Sequence, residues 1–134
     1  MKAVLDANVI LRLIAEDEPG QTKKAAAVFE AAMRGKLELV VTPPVLFEVA
    51  WTLRRAYGFP RERVLKVFED LMSTPGVTLS DEAVVEQAIA TAKLGGIEFA
   101  DAYIAAAAGA LGIKKIATFN AKDLKKAGME LLLM

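Results

Sequence analysis

Apolar runs of three to five residues alternate along this chain with longer stretches in which apolar side chains recur every three or four positions. Lys2–Leu5, Leu37–Val41, Val77–Leu79, Lys115–Thr118 and Leu131–Leu133 read as strands. Short strands separated by helices predict a parallel sheet, because a parallel crossover needs enough chain to hold a helix. The expected class is therefore α/β, in three α/β/α layers. With 134 residues the chain suits one domain, residues 1–134, around a single core. There is no internal repeat, linker or low-complexity segment.

Helix ends are marked in the sequence. Val9, Ile10, Leu13 and Ile14 carry helical spacing up to Glu16, and Glu16–Gly20 is a turn by composition. Ala25, Val28, Phe29 and Ala32 make Gln21–Arg34 amphipathic, with Gly35 as its stop. Thr42-Pro43 is a helix entry, with a cap residue and then proline at the first position; that helix runs to about Tyr57. Arg61–Met72 presents Val64, Val67, Phe68 and Leu71 on one face. Ser80 is expected to cap a helix with Asp81 and Glu82 in its first turn. Further helices are expected over Phe99–Leu111 and Asn120–Lys126.

Two absences prune the chemistry. Without cysteine there is no disulfide framework, thiolate nucleophile or zinc-thiolate site. Without histidine the commonest general base and transition-metal ligand are missing. An enzyme built from this chain would rely on carboxylates, hydroxyls, amines and a hard cation bound through oxygen. Seventeen basic and seventeen acidic side chains cancel, so any polyanion site must be a local patch. The weakly polar stretch Tyr103–Ile113 is too short for a bilayer, and the acid at position 6 does not suit a secretory signal. The expectation is a soluble cytoplasmic protein.

Three acids stand apart from those in turns and first helical turns. Asp6, Glu48 and Asp101 each lie among residues that a core would claim: Val-Leu-Asp-Ala-Asn-Val, Leu-Phe-Glu-Val-Ala-Trp and Phe-Ala-Asp-Ala-Tyr-Ile. A buried carboxylate must be paired, hydrogen-bonded, neutralised or bound to a cation. No lysine or arginine lies within four residues of Glu48 or Asp101. A shared divalent cation would satisfy all three. Asp6 follows the first strand, where α/β folds place ligands, and Asp101 opens a helix whose dipole favours negative charge. Structural accounts also exist. Asp6 caps a helix, Asp101 is a first-turn acid, and Glu48 forms a buried pair with Arg54, Arg55 or a more distant base. Thr118 and Asn120 follow a strand and offer oxygen ligands; against this, Asn120 with Asp123 has capping-box spacing, and Asp123 lies among Lys122, Lys125 and Lys126 on what reads as a solvated face.

Leu5-Asp6-Ala7-Asn8-Val9 resembles the opening motif of PIN domains. Glu48 falls where that family places its second acid. Phe99-Ala-Asp101-Ala-Tyr resembles its third motif, and Ala117-Thr-Phe-Asn120-Ala-Lys-Asp123 its fourth. In length and motif order the chain is similar to VapC-type toxins of toxin–antitoxin pairs. The resemblance implies a sheet of about five parallel strands and a Mg2+- or Mn2+-dependent endoribonuclease. It also implies an RNA substrate, a homodimer and a cognate antitoxin partner. Catalysis and metal binding fall to Asp6, Glu48 and Asp101, with Asn8, Thr118, Asn120 and Asp123 as supporting candidates. Some members carry an acid where this chain has Asn120; Asp123 or Glu98 is the spare carboxylate. Arg12, Lys23, Lys24, Arg54, Arg55, Arg61 and Arg63 are candidates for lining an RNA groove, or else solvated surface. Two rival readings are a PIN-like binding module without catalysis and a phosphatase of the haloacid-dehalogenase kind using Asp6 as nucleophile.

Overall fold

The computed structural model describes residues 1–132. Contacts divide the chain into two compact units, residues 1–81 and residues 82 onward. The first unit contains β1 (Lys2–Val4), α1 (Ala7–Ala15), α2 (Pro19–Met33), β2 (Glu38–Val41), α3 (Pro43–Arg55), α4 (Arg61–Ser73) and β3 (Val77–Leu79). The second contains α5 (Glu82–Gly95), α6 (Phe99–Ala110), β4 (Lys115–Ile116), α7 (Ala121–Lys126) and β5 (Glu130–Leu131). The mixed α/β class with parallel strands is as expected.

In the first unit the strands pair in parallel in the order β1-β2-β3, with Ala3 opposite Leu39 and Leu39 opposite Val77. Period-two alternation gives this sheet a buried face: Leu39, Val41, Val77 and Leu79 are buried, whereas Val4 and Thr78 on the other face are exposed. The core of this unit is completed by Ile10 and Leu11 of α1, Phe29 of α2, Leu46, Val49 and Leu53 of α3, and Phe68 of α4. The order β1-β2-β3 follows the chain, so the winding does not reverse within this sheet. The carboxyl ends of β1 and β2 nevertheless lead straight into the helices beside Asp6 and Glu48.

The strand count differs from expectation. The larger sheet has three strands rather than about five, and β4 and β5 form a separate parallel pair. The run Lys115–Thr118 yields only a two-residue strand because the chain turns at once: the Thr118 hydroxyl accepts a hydrogen bond from the Asn120 backbone N–H at 2.9 Å. Among the described residues, this ladder pairs Lys115 with Glu130 and Ile116 with Leu131. The last strand expected over Leu131–Leu133 is observed at Glu130–Leu131, and Leu133 lies outside the described residues. In this unit Ala105, Leu124 and Met129 pack together under α7.

Helix starts also moved. Pro19 takes the first position of α2, two residues before the expected start, because proline's fixed φ suits a helical first turn. Asp81 adopts a left-handed conformation (φ 55) immediately before α5, so Ser80 does not cap that helix and Asp81 is not in its first turn. Among the described residues, no helix is long and apolar enough to cross a membrane.

Candidate functional site

Asp6 is placed by the end of β1, where the Leu5 N–H donates to the Val40 carbonyl at 2.9 Å. It sits at the N-cap of α1 with extended backbone, and its side chain makes no cap hydrogen bond. The capping account of Asp6 therefore fails at the side chain: the carboxylate is exposed and uncommitted. Asn8, the second residue of α1, is exposed as well and lines a groove of about 380 Å³ with Val9, Arg12, Gln21, Lys24 and Val28.

Glu48 lies on α3. Leu46, Val49 and Leu53 are the buried residues of that helix, and at about 100° per residue Glu48 points away from them. Glu48 is exposed, contrary to the expectation that its apolar neighbours in sequence would enclose it. Among the described residues no charged side chain is buried, so burial cost does not by itself demand a counter-ion for Asp6 or Glu48. Nor does Glu48 form a buried pair with Arg54, whose Nη1 donates to the Phe59 carbonyl at 3.0 Å.

In the second unit, Asp101 is the third residue of α6 and half-buried. The Asn120 amide donates from Nδ2 to Asp101 Oδ2 at 3.2 Å and to Asp123 Oδ2 at 3.3 Å. Asn120 is the N-cap of α7 without a side-chain cap hydrogen bond, so the capping-box account does not hold. Asp123, read from sequence as part of a lysine-rich solvated face, is turned to Asn120 and is half-buried. Thr118 is tied to the same turn by its hydroxyl. Burial raises the Asp101 pKa above its ordinary value of 3.8, and the negative charges of Asp123 and Glu98 raise it further.

That shift has a sign for stability. The folded state holds the Asp101 proton more tightly than the unfolded state, so this group's contribution falls as pH rises from 3.8 through the higher folded value. The cost persists at neutral pH. Removing the charge while keeping a hydrogen-bond acceptor, as in Asp101→Asn, is expected to raise the melting temperature of the metal-free protein slightly at neutral pH. The gain should vanish in acid, where the wild-type carboxyl is protonated; thermal melts of both proteins across pH check this.

The two units thus contribute different parts. The first carries Asp6, Asn8 and Glu48; the second brings Asp101, Thr118, Asn120 and Asp123 into one hydrogen-bonded cluster. Among the described residues, no three acidic side chains are gathered into a group that could hold a metal ion. Of the candidate basic residues, Arg12 and Lys24 line the α1–α2 groove. Arg12 is also held in place, its Nε donating to Gln21 Oε1 at 2.6 Å and its guanidinium 3.5 Å from Asp17. Arg63 lies over the Phe59 ring at 3.9 Å, so with Arg54 it organises the loop before α4. Sequence reasoning gave no role to Trp51, one turn beyond Glu48 and 64 % exposed; the phase of Leu46, Val49 and Leu53 was the signal that could have found it.

The family model of the PIN domain matches residues 3–128, spanning all four motif regions. No curated protein matches the chain.

Proposed function

The chain belongs to the PIN domain family, and on that premise we propose that it is a divalent-cation-dependent endoribonuclease, the toxin of a toxin–antitoxin pair. PIN domains are generally nuclease modules, and PIN-domain nucleases act on RNA. The observation that carries the reading to this chain is the Asp101–Asn120–Asp123 cluster. There, one amide holds two carboxylates near each other, although burial first and then the repulsion between them raise the Asp101 pKa. A cation would relieve that repulsion, which makes the cluster more useful as a ligand source than as a structural brace.

The donor set fits a hard cation. Every candidate ligand offers oxygen, and the chain has no imidazole or thiolate that would favour a softer metal. Asp6 and Asp101 are the proposed direct ligands of Mg2+ or Mn2+, with Glu48 acting through water or completing a second position. When bound, such a cation acidifies water and offsets charge on the phosphodiester. The chain's own contribution is orientation. Asn120 restrains Asp101 and Asp123, Thr118 restrains Asn120, and the uncapped Asp6 carboxylate is free to ligate. A homodimer and a small antitoxin partner in the cytoplasm complete the proposal, supported by the motif order and length.

With no histidine, no imidazole can deprotonate the RNA 2′-hydroxyl. Hydrolysis by water is expected to leave 5′-phosphate and 3′-hydroxyl ends. Analysis of the cleaved ends checks this, and 2′,3′-cyclic phosphates would overturn it. The test of the function itself is cleavage of structured and single-stranded RNAs with Mg2+ or Mn2+, set against chelator. Survival of every RNA in the presence of metal would sink the reading. A second readout is independent of activity. Mn2+ should raise the melting temperature of the wild type and not that of Asp101→Asn, because a ligand bound only by the folded state stabilises it.

A further inference from the structure

Trp51 is the only tryptophan of the chain, and it is 64 % exposed. Large aromatic side chains normally bury their rings, and the buried face of α3 was available two residues away on either side, at Val49 and Leu53. Helical phase instead puts Trp51 on the outer stripe with Glu48 before it and Arg55 after it, all three exposed. At about 1.5 Å rise per residue, the Trp51 backbone stands about 4.5 Å along the axis from that of Glu48 and about 6 Å from that of Arg55. Carboxylate, aromatic ring and guanidinium therefore follow one another along one stripe of the helix. Among the described residues, neither Glu48 nor Arg55 takes part in an ion pair.

From this stripe we infer that Trp51 is a base-stacking residue that selects unpaired RNA, with Arg55 holding a neighbouring phosphate. The inference rests on the ribonuclease reading and adds to it which part of the substrate α3 contacts. An indole face stacks on any base, but only when that base is free of its own neighbours. The guanidinium supplies the charge that a phosphate needs. The neighbours of Trp51 one turn away favour a partner that is both aromatic and charged over a purely apolar one: Glu48 and Arg55 are exposed and ionic, and Phe47 is half-buried.

Because the chain has one tryptophan, its intrinsic fluorescence reports on this ring alone. Binding is measured in chelator, so that nothing is cut, with short oligouridine and with the same strand paired to oligoadenine. Oligouridine should quench the emission and the duplex should not. Trp51→Ala should weaken oligouridine binding at least about fivefold by anisotropy, and Trp51→Phe should retain most of it. Leu94→Ala removes a still more exposed apolar side chain on α5 and should bind as the wild type does. Equal binding by Trp51→Ala and wild type, or equal quenching by duplex, would overturn the inference. So would a wild-type dimer that Trp51→Ala splits with no change in RNA affinity, since the ring would then face a second copy. If Trp51→Ala cleaves and binds normally in Mg2+, the stacking role fails and the nuclease stands. If no RNA is bound or cut by any form, both fail.

Discussion

Asp6→Asn is expected to slow RNA cleavage at least about a hundredfold in saturating Mg2+ while leaving the melting temperature nearly unchanged. The two halves of that expectation rest on different features of one residue. Asp6 is exposed, and its carboxylate makes no cap hydrogen bond, so the fold does not depend on its charge. Asparagine is also as good an N-cap as aspartate, which leaves α1 at no disadvantage. The charge matters only if it meets a cation, where losing one anionic ligand removes several kcal/mol of electrostatic stabilisation. Asp70→Asn makes a suitable comparison. That acid pairs with Lys66 at 2.8 Å on an exposed helix face, and its loss should change neither cleavage nor the melting temperature measurably. Cleavage by Asp6→Asn at the wild-type rate would remove Asp6 from the chemistry.

What the sequence made legible follows from whether the signal was local. The entry of α3 was readable at Thr42-Pro43, and the α/β class from the alternation of short apolar runs with helical periods, because these are properties of neighbouring residues. The motif carrying Asp6 landed where expected, directly after β1. Glu48 was misjudged because residues adjacent in sequence are not adjacent across a helix. Val49 is buried while Glu48 and Trp51 face outward, and only the three-and-four spacing of Leu46, Val49 and Leu53 separates them. Asp123 was misjudged for a related reason: its lysine neighbours define the composition of α7, yet a single amide from Asn120 decides where its carboxylate turns. The number of strands in the sheet was beyond reach, since it depends on how far Lys115–Thr118 can pair before Thr118 and Asn120 turn the chain.

The largest effect on stability is expected at Gly76→Ala, a position remote from every proposed ligand in sequence. Gly76 has φ +82, in the left-handed region, and a Cβ placed there would collide with the backbone carbonyl of Ala32 at the end of α2. Its own carbonyl accepts the Leu39 N–H at 2.8 Å, so the residue cannot shift without disturbing the β2–β3 pairing. Left-handed strain costs about 1–2 kcal/mol, and forcing apart two backbone segments costs about 1–3 kcal/mol more. A loss of about 2–5 kcal/mol is a large part of the roughly 5–15 kcal/mol that holds a domain together. Gly58→Ala separates the two contributions. Gly58 has φ +68 with nothing within 4 Å of the added methyl, so only the strain remains and the loss should stay near about 1–2 kcal/mol. Denaturant midpoints of the two variants measure the difference directly. Equal losses would mean that α2 yields at Ala32 and that the close approach of Gly76 is not what fixes α2 against β3.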